Sequence, residues 1–346
     1  IVLMPFPSIF KACLISGSLL FLAGCQQPSE PQIQVEQTET NQKQSPVNDF
    51  SLMCKNIEKN MSQINDQRTT FALEQVNQDL KVCLPLMELA EQKHLMLRST
   101  EMYQRFLAVD RTEFQQRAFE QYALEMAQHP TIQQAHFQQL TSRDQYLLKH
   151  KGQAYVELLD LGDGNLHYRR SPEYLARIFA PYLPDAEKVF IEHLAEQNMQ
   201  PVLVEKRLQI EAADIAARSL LWEDYLKTYP ESSYKRDAEY LLKQYTYFLF
   251  RGTEASPVSE DYRDRYAVDT SHLETIIGLS SGQKSTLSTQ ARQFLEFLDM
   301  NPQQRQQALP ADYRNRSDAE QILYYAKISP PSQKYDKDCF MDAFCI

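Results

Sequence analysis

The sequence predicts an all-α protein built from antiparallel helical hairpins, and three observations carry that expectation. Glycine is scarce: of 8 in 346 residues, Gly17 and Gly24 sit near the amino terminus and the rest fall at 152, 162, 164, 252, 278 and 282. Long glycine-free stretches suit helices, because each interior glycine costs a helix about 1 kcal/mol relative to alanine. Apolar residues then recur at helical spacing, and Ser, Asp and Pro punctuate the text where helices should begin or end. Finally, 43% apolar and 11% aromatic content supplies core material that a disordered chain lacks. The length suits one large domain or two smaller ones.

The first 24 residues read as a secretory signal. Counted from Met4, MPFPSIFK supplies an amine and Lys11 as a positive start, and ACLISGSLLFLA comes next as a short apolar run. Ile1 to Leu3 are set aside from fold reasoning. The run of about a dozen residues falls short of the roughly 20 needed to span a bilayer as a helix. It ends in Leu22-Ala23-Gly24-Cys25, which resembles the lipobox of bacterial lipoproteins. That resemblance implies that Cys25 carries lipid, palmitate included, and becomes the first residue of the mature chain. Each buried methylene contributes about 0.8 kcal/mol, so several acyl chains anchor durably. Gln26, rather than Asp, succeeds the cysteine, which by the same resemblance implies the outer membrane, facing the periplasm.

Residues 25–48, beginning CQQPSEPQIQVEQTET, offer almost nothing to bury and read as a disordered tether with a reach of roughly 25 Å. Loss of residues 1–24 removes only Lys11 from the charge count and takes the net charge from −10 to −11. So acidic a chain excludes nucleic acid as a partner.

Residues 49–152 are expected to form an amino-terminal helical bundle. Asp110 with Glu113 reads as a capping-box variant ahead of EFQQRAFEQYALEMAQ, and His129-Pro130 closes that helix. Phe114, Ala118, Tyr122 and Met126 recur every fourth residue and predict its buried stripe. Within 154–170, AYVELLDLGDGNLHYRR breaks the helical text, with β-favouring runs on either side of Asp163-Gly164. A short β-hairpin is expected there. Ser171-Pro172-Glu173 then opens a helix with proline in its first position.

Residues 153–328 form the expected carboxy-terminal unit. A long helix is predicted from Pro201 to about Thr228, and a second from about Ser233. The stretch from Ala238 to Phe250 is apolar nearly all round and should lie centrally. Tyr225, Leu226, Tyr229-Pro230, Ser232, Tyr234, Ala238 and Leu242 fit the pattern Y-L-x-x-Y-P-x-S-x-Y-x-x-x-A. This pair resembles the tetratricopeptide-like hairpins of outer-membrane assembly lipoproteins, over about 35 residues. An internal echo aligns WEDYLKTYP at 222–230 with FLEFLDMNP at 294–302, at an offset of 72 that approximates two helical-hairpin repeats. The text between them is irregular, so one or two good repeats extended by atypical helices are expected.

Residues 329–346 form a tail bearing two cysteines. With Cys13 in the leader and Cys25 lipidated, four thiols remain: Cys54, Cys83, Cys339 and Cys345. An even number in an oxidising compartment argues for two disulfides. The favoured pairing is Cys54 with Cys83, clamping two antiparallel helices, and Cys339 with Cys345; the alternative ties the two chain ends together.

No catalytic constellation emerges. Ser232 to Lys235 and Ser281 to Lys284 match S-x-x-K, but neither S-D-N nor K-T-G accompanies them. The seven histidines form no H-E-x-x-H, and Asp160, Asp163 and Asn165 read as a turn, because Gly162 breaks the calcium-loop spacing. No metal, cofactor or enzymatic activity is expected. Nineteen tyrosines, many on the carboxy-terminal helices, suit packing first and a peptide groove second. The function these readings predict is an envelope scaffold that binds another protein or a peptide near Tyr229, Tyr234 and Arg236. The alternatives are a peptidoglycan enzyme or its activator, and an inhibitor of a foreign hydrolase.

Overall fold

The computed structural model describes residues 46–128, 136–160, 166–282 and 284–331. Six helices come first: α1 Pro46–Lys55, α2 Ile57–Ser62, α3 Thr70–Cys83, α4 Leu89–Phe106, α5 Glu113–Gln128 and α6 Ser142–Lys149. An antiparallel hairpin comes after them, β1 Val156–Asp160 against β2 Leu166–Arg170, with Val156 opposite Arg170 and Asp160 opposite Leu166. Next are α7 Glu173–Ile178, α8 Asp185–Met199, and a second small hairpin of β3 Leu203–Val204 and β4 Arg207–Leu208. The chain continues through α9 Ala212–Thr228, α10 Lys235–Phe250, α11 Thr270–Ser280, α12 Thr286–Asp299, α13 Pro302–Ala308 and α14 Asp318–Tyr325. The fold is all-α with two short hairpins, the first of them where β-favouring runs predicted it.

Short polar side chains start the helices. Thr69, Thr141, Ser285 and Ser317 each accept a hydrogen bond from the backbone N–H three residues on. Each such cap contributes about 1 kcal/mol. Burial does the rest: one apolar cluster runs from Ile57 to Ile328, with Trp222, Tyr103, Tyr174, Phe190 and Phe294 among its largest fully buried side chains.

The described residues group as one compact unit. Polar contacts cross residue 153 as well as apolar ones. The Tyr103 hydroxyl donates to the Ala154 carbonyl (2.8 Å), Arg170 Nη1 donates to Ser99 Oγ (3.1 Å), and Lys93 pairs with Glu187 (3.0 Å).

α9 and α10 form the expected antiparallel hairpin. Its six-residue connection is fixed by Ser232, whose hydroxyl meets the Tyr225 hydroxyl (2.6 Å) and accepts the Tyr234 N–H (3.0 Å). Ser219 and Thr246 meet at 2.8 Å between the buried faces of the pair. In α10, Ala238, Leu241, Tyr245, Phe248, Leu249 and Phe250 are all buried, as its apolar circumference requires.

Four local expectations are corrected. Residues 201–211 are not helical: α9 starts at Ala212, and Leu203–Val204 pair with Arg207–Leu208 around Glu205 and Lys206, whose φ values are +51° and +62°. Two consecutive left-handed residues make the tight turn whose twist matches a hairpin, a task usually given to Asn-Gly. The cap of α5 is Thr112, not Asp110. Its hydroxyl accepts the Gln115 N–H (3.3 Å) while Gln115 Oε1 accepts the Thr112 N–H (3.0 Å). Phe114 is 60% exposed, and Phe119 with Ala118, Tyr122 and Ala123 makes the buried stripe instead. Pro172 caps α7 rather than opening it, and Ser171 Oγ accepts the Glu173 N–H (3.4 Å).

Cys54 and Cys83 form a disulfide with their Cα atoms 5.4 Å apart. It joins the last turns of α1 and α3, so it ties two helix ends together instead of the end of one to the start of the next. Closing a loop of this length stabilises by about 3.6 kcal/mol in the chain-entropy account. The end of the expected tether is also corrected, because Pro46 to Asn48 already belong to α1. Cys25, Cys339, Cys345, the leader, the rest of the tether, nearly all of the tail, His129-Pro130 and Asp163-Gly164 lie outside the described residues.

Candidate functional site

α4 packs by one face and lines a cleft with another. One, with Leu95, Met102, Tyr103 and Phe106, is buried in the core. The other presents Lys93, Met96, Leu97 and Thr100, at the 0, 3, 4, 7 spacing of a single helix face, to a cleft. Opposite stand Phe190, Ile191, Leu194 and Ala195 of α8; Arg170, Pro172 and Leu175 also line the cleft, as does Tyr234 at the start of α10. The cavity measures about 190 Å³. Leu97 is 60% exposed beside it, so apolar surface faces water at its rim.

Aromatic stacking fixes the Tyr234 wall. Its ring lies flat on Phe190, centroids 4.3 Å apart and planes 6° from parallel, and Phe190 in turn packs against Trp222 and Tyr225. The Tyr234 hydroxyl reaches Met96 Sδ at 3.9 Å, joining α10 to α4. A wall held from both sides offers a preformed surface, which lowers the ordering cost of binding.

Charged groups at the cleft are engaged within the fold. Glu187 Oε1 accepts from Lys93 Nζ (3.0 Å) and from Ser233 Oγ (2.9 Å). Burial alone would raise its pKa, but the Lys93 and Ser233 hydrogen bonds outweigh that and hold the carboxyl below its ordinary value. Arg170, buried at the end of β2, donates to Ser99 Oγ and lies over the rings of Tyr174 (4.9 Å) and Tyr103 (5.6 Å). Burial pushes the Tyr103 hydroxyl well up, so it remains a neutral donor to Ala154 and acceptor from Asn77.

Of the three expected contact residues, only Tyr234 lines this cleft. Tyr229 packs its ring on Tyr225 (5.2 Å) at the end of α9, and Arg236 is exposed in the first turn of α10. The α4 wall escaped sequence reasoning, because only Met96 and Leu97 of its four cleft residues are apolar and no stripe marks them. Ser232 is held in its turn by Tyr225 and Tyr234, and Ser281 donates to the Ile277 carbonyl (3.4 Å). Among the described residues no group of three or more His, Cys, Asp or Glu side chains could hold a metal ion, and no helix is long and apolar enough to cross a membrane.

Compared with known proteins, the chain matches no family model, no curated protein and no solved structure.

Proposed function

We propose that this protein is a lipid-anchored scaffold at the periplasmic face of the outer membrane, and that its helical body binds an apolar segment of another envelope protein or peptide. The anchoring half of the reading rests on LAGC and the glutamine-rich stretch behind it. The binding half rests on one observation: an exposed leucine beside a preformed cleft walled by α4, α8 and Tyr234. At about 190 Å³ the cavity is smaller than the roughly 300–1,000 Å³ of small-molecule sites, so it suits one or two anchoring side chains rather than a metabolite. Buried apolar anchors in such pockets carry most of the energy of protein interfaces.

Two experiments test the two halves. With Cys25→Ser the protein should leave the membrane fraction and appear among soluble periplasmic proteins; unchanged sedimentation with membranes would refute the anchor. A photoreactive residue at Leu97 should give discrete adducts in intact cells that disappear when Leu175→Glu puts a charge beside the cleft. The same probe at Phe71, which is 79% exposed and does not line the cleft, is the control. Equal adducts from both positions would remove the basis for the binding site.

A further inference from the structure

A separate concavity lies between α9, α11 and α12. Its two adjoining compartments, of about 660 and 730 Å³, share Glu223, Lys227, Lys284 and Ser285. The first has a wall of small side chains, with Ala213, Ala216 and Ala217 from α9 and Gly278 from α11, and carries one exposed carboxylate of its own, Asp224. A Cβ built on Gly278 would meet nothing within 4 Å. That glycine therefore serves no close approach within the fold, and leaves open space.

The second compartment is cationic. Lys227, Lys284, Arg292 and Lys327 surround one carboxylate, Glu223. Glu223 is already saturated: it accepts from Lys227 Nζ (2.7 Å) and from the backbone N–H groups of Thr286 (2.8 Å) and Leu287 (3.2 Å). Arg292 donates to the Ser280 carbonyl and to Thr289 Oγ1, both at 3.1 Å. Among the described residues Lys284, Arg292 and Lys327 meet no carboxylate within ion-pair distance. Gathering such cations runs against the composition of a chain with net charge −10.

Lys327 adds an independent point. It comes after α14 with φ +56°, while the Ile328 N–H closes the helix on the Leu323 carbonyl (2.8 Å). That is the left-handed closing position glycine normally fills, because a side chain there strains the backbone. The fold holds a lysine in it, at the edge of the cationic compartment.

We propose that this trough binds an acidic segment of a partner polypeptide, with Asp or Glu carboxylates on Lys284, Arg292 and Lys327 and small apolar residues along the Ala-Gly wall. Charge complementarity with the cations selects the occupant, together with the Ala-Gly wall beside them, which a bare anion would not use. The site is distinct from the Tyr234 cleft, so the two proposals stand or fall separately.

The test uses the purified mature chain and a fluorescein-labelled peptide of three glutamates followed by leucine and alanines, read by fluorescence anisotropy. Saturable binding should weaken by about tenfold or more in Lys284→Glu/Lys327→Glu, and should weaken as salt is raised, since exposed ion pairs are screened. Gly278→Leu should also weaken it while leaving the thermal midpoint unchanged or higher, because leucine favours a helix more than glycine does. Leu97→Asp, at the other cleft, should bind the peptide normally. Absence of saturable binding by the wild type, or equal binding by the double variant, overturns the proposal. So does lysine-dependent binding to phosphatidylglycerol vesicles without any to the peptide, which would make the trough a lipid-headgroup site.

Discussion

Helices α9 and α12 lie 72 residues apart in an echo first visible at 222–230 and 294–302, and their buried faces match over a longer stretch than that echo. Ile215, Ala216, Ser219, Trp222 and Tyr225 are buried in α9; Leu287, Ser288, Ala291, Phe294 and Phe297 are buried at the corresponding places in α12. The two faces differ in their buried polar residues: α12 has Ser288 where α9 has Ala216, and α9 has two of its own. Glu223 stands where α12 has Leu295, and Ser219 where it has Ala291. Both polar residues of α9 reach outward to a neighbouring helix: Glu223 caps α12 itself, and Ser219 meets Thr246 of α10. One buried stripe thus builds two helices, and two polar substitutions decide which neighbours the first of them holds.

If the stripes are equivalent, truncating their largest rings should cost alike. Trp222 and Phe294 are both fully buried, and replacement of either by alanine should lose about 3–5 kcal/mol of unfolding free energy in urea titrations. A loss below about 1 kcal/mol at one of them would break the equivalence.

The echo was legible because aromatic spacing is local: a 3.6-residue period declares a helix and its buried side without reference to anything distant. The continuation of the chain past each helix was less legible. α9 leads into the sixteen-residue α10, whereas α12 runs into the seven-residue α13, opened by Asn301 and Pro302. Register and partner choice depend on contacts far apart in sequence, such as Glu223 with Thr286, and no local pattern encodes them. The same holds for the Tyr234 cleft. Tyr234 could be singled out from its motif, but its opposing wall at 93–100 comes from another part of the chain. The turn at Glu205-Lys206 was hidden for a different reason, since neither residue advertises a left-handed backbone.

A sharper probe is Glu223→Leu, which gives α9 the side chain of its counterpart. The α12 N–H groups of Thr286 and Leu287 lose their acceptor, and an unsatisfied buried donor costs about 1–3 kcal/mol. The effect should depend on pH. Burial alone would raise the Glu223 pKa, but the Lys227 ion pair and the two N–H donors outweigh it and hold the carboxyl below its ordinary 4.5. A depressed carboxylate contributes its full stabilisation above the unfolded value and loses it as pH falls through the folded one. The gap between wild type and Glu223→Leu should therefore be widest near neutrality and narrow progressively as pH falls below the ordinary 4.5. A gap that is constant from pH 7 to 3 would show that the carboxylate charge plays no part in the joint.

The smallest expected effect is at Ser219, and it separates the hydrogen bond from the packing around it. Ser219 Oγ and Thr246 Oγ1 lie 2.8 Å apart, and both residues are buried. Ser219→Ala copies Ala291 but leaves the Thr246 hydroxyl without its partner, at a cost of about 1 kcal/mol. Thr246→Val on top of it removes the orphaned hydroxyl at nearly constant shape, and most of that loss should return, because exchanging both polar partners for apolar groups is close to neutral. A double-mutant cycle in denaturant reads the coupling directly. Recovery would mean that α9 and α10 are held by apolar packing, with the hydroxyl pair selecting the partner; no recovery would mean that the pair itself secures the hairpin, and that the contrast with α12 runs deeper than the stripe.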